Sequence, residues 1–272
     1  MRAEELLRAG DLDGALQELQ AEVRKRASDA KLRIFLFQLL SVRGDWTRAI
    51  AQLKLSAEME PSAVPMAQTY REAIICEVFR EKVFAGEKVP LIFGEPQEWA
   101  ALMVEATKVL AQGHPEEAAR LRERAFEAAP AARGEINGMP FDWIADADMR
   151  LGPLLEVIVN GRYFWMPFTA IGSMIVEPPK DLRDCVWMPA TMTLRNGGDV
   201  VALIPTRYAG TVALGDDAAK LARATEFRDA GAETFLGVGQ RLLATDAGDT
   251  PLMELRTLTI HQDDGGEAGA DG

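Results

Sequence analysis

Residues Gly44 to Pro61 read GDWTRAIAQLKLSAEMEP, and Gly113 to Pro130, GHPEEAARLRERAFEAAP, repeat the same spacing: Gly first, Ala five residues on (Ala49, Ala118), Pro last. A shorter copy opens the chain, where Gly10 and Asp11 are followed by Ala15. Gly10 and Gly44 are 34 residues apart, the period of tetratricopeptide helix pairs. Gly113 lies 69 residues beyond Gly44, close to two further periods. Each glycine falls where one helix must end in a left-handed residue before the next begins. Asp11 and Asp45 then serve as N-caps, accepting from the first free N–H groups of the following helix. The small Ala lets that helix approach its predecessor, and Pro61 and Pro130 end it, because proline cannot continue the ladder.

Working outward from these turns, the helix before Gly44 carries Leu32, Leu36, Phe37 and Leu40 on one stripe, spaced by three or four. The helix before Gly113, from about Gln97 to Gln112, offers Trp99, Leu102, Val109 and Leu110. Between them, Ala67 to Glu87 places Tyr70, Ile74, Val78 and Phe79 at helical spacing but lacks the Gly-Asp turn, so it reads as an extra helix. The loop KVPLIFGEPQEW leads back into the array, with Pro96 suited to a first helical turn. A helix pair cannot bury its own apolar face, so so short an array needs the rest of the chain packed against it.

Beyond Pro130 the character changes. LLEVIVN, Asn160-Gly161 and RYFWMPF form a predicted hairpin, since Asn-Gly supplies the two positive-φ positions of a type I′ turn. Tyr163 and Trp165 alternate with Phe164 and Met166, so this strand is apolar on both faces and its hairpin is expected to be central to the module or the seam against the helical array. A second hairpin is expected around Asn196-Gly197-Gly198, a third pair in GQRLLATDAGDTPLMELRTLTI, and a helix over AAKLARATEFRDA. The chain therefore reads as α+β. A tetratricopeptide-like helical array spans residues 1–134, an antiparallel-rich α+β module spans 135–262, and 263–272 form a disordered tail.

The 272 residues are 48% hydrophobic and carry a net charge of -12, with the acidic excess in the second half. A surface of that sign repels phosphate, which argues against nucleic acid and anionic membranes as partners. Two cysteines, Cys76 and Cys185, fit a reducing compartment and two inert buried thiols. No apolar run approaches the ~20 residues of a membrane helix, so a cytoplasmic protein is expected.

Chemistry is sparse. The two histidines, His114 and His261, stand at no spacing that pairs them with a nucleophile, and no metal or nucleotide motif occurs. Neither catalytic residue, cofactor nor metal is expected on that basis. The best enzyme-like constellation is FDWIADADMRLGP, where Asp142, Asp146 and Asp148 offer paired carboxylates for a hydrolase or metal-dependent site. Alternation on a strand would instead put all three on a solvated face and Trp143, Ala145, Ala147 and Met149 on an apolar one.

The short helical array followed by GMPFDWIADADMRLGPLLEVIVNGRYFWMPF and DLRDCVWMPATMTL resembles the ImpE family, also called TagJ, of type VI secretion systems. The resemblance runs nearly the whole chain. It implies a non-enzymatic cytoplasmic adaptor that binds the N-terminal helix of the small contractile-sheath subunit, TssB, with sheath disassembly by the ClpV unfoldase nearby. Such an array takes a helix in a groove. The first helix of each pair lines the concave face, which makes Ile34, Gln38 and Ser41, with Met103, Thr107 and Leu110, the candidate partner-binding residues. A strand-addition site on the acidic module, suited to a basic segment, is the other possibility.

Overall fold

Each expected turn in the first half is a helix end. The computed structural model of the chain describes residues 1–95 and 97–261; the helical role expected of Pro96 and the disorder expected of residues 263–272 lie outside the described residues. The helices are α1 (Arg2–Ala9), α2 (Leu12–Lys25), α3 (Ala30–Val42), α4 (Trp46–Met59), α5 (Val64–Phe84), α6 (Glu98–Ala111) and α7 (Pro115–Ala128). Gly10, Gly44 and Gly113 take φ of 83°, 71° and 85°. The Asp11 carboxylate accepts from the Gly14 N–H and that of Asp45 from the Arg48 N–H, so both cap as their positions demand. His114 occupies the N-cap of α7 without a side-chain bond. Ala15, Ala49 and Ala118 are buried at the helix contacts, and α1 packs on α2, α3 on α4 and α6 on α7.

The extra helix α5 departs from its expected stripe. Tyr70 and Ile74 are buried, but the stripe continues through Glu77 and Arg80 while Val78 is exposed. Two charged side chains thus take positions that an amphipathic reading assigns to apolar residues.

The remaining strands are β1 (Leu91–Ile92), β2 (Gly134–Ile136), β3 (Met139–Phe141), β4 (Ile144–Asp146), β5 (Leu154–Val159), β6 (Arg162–Pro167), β7 (Ile171–Val176), β8 (Trp187–Leu194), β9 (Asp199–Pro205), β10 (Thr225–Asp229), β11 (Phe235–Gly239), β12 (Leu242–Thr245), β13 (Gly248–Pro251) and β14 (Thr257–Ile260). Two short helices, α8 (Thr211–Leu214) and α9 (Asp217–Lys220), separate β9 from β10. The main sheet has the order β1-β6-β5-β9-β8-β7-β14-β2-β3, antiparallel except that β1 runs parallel to β6. Strands β13-β12-β4 and β10-β11 form smaller sheets.

Asn160 and Gly161, at φ 50° and 69°, close the β5–β6 hairpin with Val159 opposite Arg162. The β8–β9 hairpin turns at Gly197, φ 81°. AAKLARATEFRDA is not the single helix expected. Ala222 at φ 55° stops the helix, and Thr225 onward pairs with β11, where the Phe227 ring meets that of Tyr208 with centroids 6.2 Å apart.

One apolar cluster joins both halves of the chain: Phe37, Leu40, Tyr70, Leu154, Ile158, Trp165 and Trp187 belong to it. A second lies on the far side of the main sheet, with Leu155, Val157, Met166, Met188 and Met192. Alternate residues of β5 feed the two clusters, which is why LLEVIV is buried throughout. Trp165 and Trp187 are wholly buried, each worth about 2–3 kcal/mol or more in area removed from water.

Candidate functional site

Glu156 is the charge inside LLEVIV, on the helix side of β5, and a cluster assembles around it. The Arg80 guanidinium, reaching down from α5, donates through Nε to Glu156 Oε1 at 2.6 Å and through Nη2 to Oε2 at 2.8 Å. It also donates to Glu77 at 3.2 Å and to the Arg207 carbonyl at 2.8 Å. Arg241, at the start of the β12 segment, donates to both Glu156 and Asp146. Tyr163 donates its hydroxyl to Glu156, and Trp165 Nε1 donates to Tyr163 at 2.7 Å. Trp187 Nε1 completes the ring on Glu77 at 3.1 Å.

All these carboxylates and guanidiniums are buried. Burial alone would raise the Glu156 carboxyl, but Arg80 and Arg241 outweigh it and hold it down at about 2. Burial pushes Asp146 up to about 7 against the pull of Arg241, and raises Glu77 against that of Arg80. Arg207 is lowered to about 10 by burial. It donates to the carbonyls of Val42 and Lys220, each at 2.6 Å, clasping the C-terminus of α3.

The expected acidic face of FDWIADAD is reversed. Asp146 and Asp148 point inward and Trp143 is exposed, because Arg241 and Arg150 wait inside as counter-charges. Asp148 also accepts from the Gly237 N–H at 3.0 Å. Asp142 is exposed and stands apart, 3.9 Å from Arg133. Among the described residues no group of three or more His, Cys, Asp or Glu is arranged to hold a metal, and a cation at Asp146 or Asp148 would have to displace a guanidinium. Over Glu77, Arg80 and Arg207 lies a cleft of about 260 Å³, walled by Trp46 and the Tyr208–Ala213 segment; its charged floor is already hydrogen-bonded. Burial pushes the Cys76 thiol up to about 12, away from reactivity.

The six candidate partner-binding residues separate into two groups. Ser41, Met103 and Thr107 are covered: Ser41 donates to the Phe37 carbonyl within its own helix, and Thr107 to that of Arg150 at 3.4 Å. Leu110 is half-buried. Half-buried Ile34 and the nearly covered Gln38, 8% exposed, instead line an open groove of about 640 Å³ between α1, α3 and the segment at Lys180 and Leu182. Leu7, Leu32, Phe35 and Leu182 give it an apolar floor, and Glu4, Arg8, Lys31 and Lys180 form its rim.

Lys180 lies outside the repeats, and α1, the first helix of the Gly10 pair, is only 8 residues long, so repeat spacing singles out neither. The buried cluster did leave a signal: a single Glu in the otherwise apolar LLEVIV, and Glu77 and Arg80 three apart on a helix whose neighbours are core.

Comparison with known proteins follows the same division. The ImpE protein family model matches residues 138–259, the stretch that holds Asp146, Glu156, Arg207 and Arg241. The type VI secretion system accessory component TagJ of Pseudomonas aeruginosa is 58% identical over 264 residues, covering 97% of this chain and 92% of its own length. A crystal structure of a Vibrio parahaemolyticus protein matches with a TM-score of 0.88 at 25% identity, over 97% of this chain and 98% of that one. That structure carries the helical half and the sheet together. Identity of this extent, with the family model seated on the sheet and its charge cluster, establishes that the chain belongs to the ImpE family.

Proposed function

We propose that this chain is a non-enzymatic cytoplasmic adaptor of a type VI secretion system. It binds the N-terminal helix of the contractile-sheath small subunit TssB and modulates sheath assembly or ClpV-linked disassembly. The accessory role is that named for the Pseudomonas relative. The observation that carries the binding mode is the open groove around Ile34 and Gln38, with an apolar floor already shaped by α1 and α3. An amphipathic helix places side chains at i, i+3, i+4 and i+7 on one stripe, which matches a groove lined along a helix. Of the six candidate residues, Ile34 and Gln38 make the contact; Ser41, Met103, Thr107 and Leu110 support the helices that present them.

The test is fluorescence anisotropy of a labelled peptide with the sequence of the cognate TssB N-terminal helix, titrated with the full chain. Saturable binding in the micromolar range, about 8 kcal/mol, that is lost in Ile34→Asp is the expected result. A folded protein that leaves the peptide tumbling freely would overturn the reading.

A further inference from the structure

The groove at Ile34 is cationic in a chain that is acidic as a whole. The chain as a whole carries -12, yet Arg8, Lys31 and Lys180 line this groove against a single carboxylate, Glu4. Arg8 and Lys31 form no ion pair among the described residues, and the bond from Lys180 to Glu177, at 3.2 Å, is on an exposed pair that water screens. Arg223 adds a fourth cation beside them, its guanidinium spent on the Arg8 and Leu7 carbonyls at 3.1 and 3.0 Å. These cations come from four separate segments, α1, α3, the loop before β8 and the link between α9 and β10, so no single helix periodicity announces them. A stable fold has no need to gather unpaired like charges; their mutual repulsion is relieved when a carboxylate-bearing partner arrives.

We infer that the groove selects an amphipathic helix whose apolar stripe is flanked by Asp or Glu. The inference rests on the adaptor reading of the same groove and adds to it the chemistry of the partner. Leu7, Leu32, Phe35 and Ile34 receive the stripe; Arg8, Lys31 and Lys180 receive the flanks. The acidic surface elsewhere repels such a helix, so misplacement is disfavoured while the groove attracts it. A basic helix meets the reverse field at the groove.

Three labelled peptides test this with the full chain: the TssB helix as reference, and two designed helices with one shared leucine stripe flanked by Glu in one and Lys in the other. The Glu helix is expected to bind about tenfold more tightly than the Lys helix. That advantage should shrink on raising salt from about 50 to about 500 mM. In the double variant Lys31→Glu, Lys180→Glu, which changes exposed rim side chains only, the preference should reverse. Equal affinities, a preference for the Lys helix, or a Glu preference that persists in the double variant would overturn the inference. If the TssB helix nonetheless binds and Ile34→Asp abolishes that binding, the adaptor reading stands without it. Failure of all three peptides would remove both.

Discussion

Around Glu156 every guanidinium that enters the protein finds a carboxylate or a carbonyl: Arg80, Arg150, Arg207 and Arg241 are each hydrogen-bonded. Around Ile34, Arg8 and Lys31 line a groove open to water and form no ion pair among the described residues. The residue types are the same and the outcome differs, because burial makes an unpaired charge prohibitively costly whereas water tolerates it. Pairing, more than composition, separates charge that fixes a fold from charge left available to a partner. The closed cluster also explains how the helical and sheet halves find one another: beyond Glu77 on its own helix, Arg80 from α5 finds its acceptors on Glu156 of β5 and on the Arg207 carbonyl.

The comparison breaks first at Glu156. Glu156→Gln leaves Arg80 and Arg241 facing a neutral amide, and loss of a buried ionic partner is expected to cost about 3–5 kcal/mol. Urea unfolding measures it; a cost below about 1 kcal/mol, the range of surface pairs, would mean the cluster is no different in kind from the rim.

Titration sharpens the same contrast. Glu156 is held at about 2 against an ordinary 4.5, so its contribution, about 3 kcal/mol, is complete above 4.5 and lost as pH falls through 2. Asp146 has the opposite sign: raised from 3.8 to about 7, it contributes fully below the ordinary value and its contribution is lost as pH rises through 7. Together they place their joint maximum at about pH 4. Melting temperature followed against pH should therefore fall between pH 4.5 and 7, the interval those two values bound, and Asp146→Asn should flatten that fall. An unchanged profile in the variant would remove Asp146 from the cluster's energetics.

At the open site the readout moves from stability to binding. Ile34→Asp should weaken the TssB helix at least about tenfold, or 1.4 kcal/mol, while shifting the urea midpoint little, since Ile34 is only half-buried. A large loss of stability instead would assign Ile34 to the core. The smallest effect is expected at a turn that serves neither cluster. Gly161→Ala puts a Cβ at φ 69° and 2.6 Å from Glu72 Oε2, the end of a half-buried side chain that must shift, so the cost is the left-handed backbone with that small adjustment, about 1 kcal/mol.

Much of this architecture could be read from local rules. Gly10 and Gly44 with their Asp caps, the Gly113 turn, and Asn160-Gly161 with its flanking strands are decided within a few residues of themselves, and there the reading and the structure agree. Misreadings gather where the deciding partner is remote. Asp146 and Asp148 turn inward because of Arg241 and Arg150, and Arg241 lies 95 residues from Asp146. TEFRD forms a strand by pairing with β11 and setting Phe227 beside the Tyr208 ring. Ser41, Met103 and Thr107 are indistinguishable from Ile34 and Gln38 by helical phase; tertiary packing buries the first three, nearly covers Gln38 and leaves only Ile34 half-buried on the groove.

Strand β1 has the last consequence. Leu91 and Ile92 belong to the helical half by position but pair in parallel with Phe164 and Trp165, and the Phe93 N–H donates to the Trp165 carbonyl at 2.9 Å. Phe93 then meets Phe164 edge-on, with ring centroids 5.4 Å apart. Without this segment, RYFWMP would be a bare, aromatic sheet margin, the kind of template on which other chains assemble into aggregates. The connection between α5 and α6 is thus a seal as well as a link: the helical half protects the sheet from its own kind.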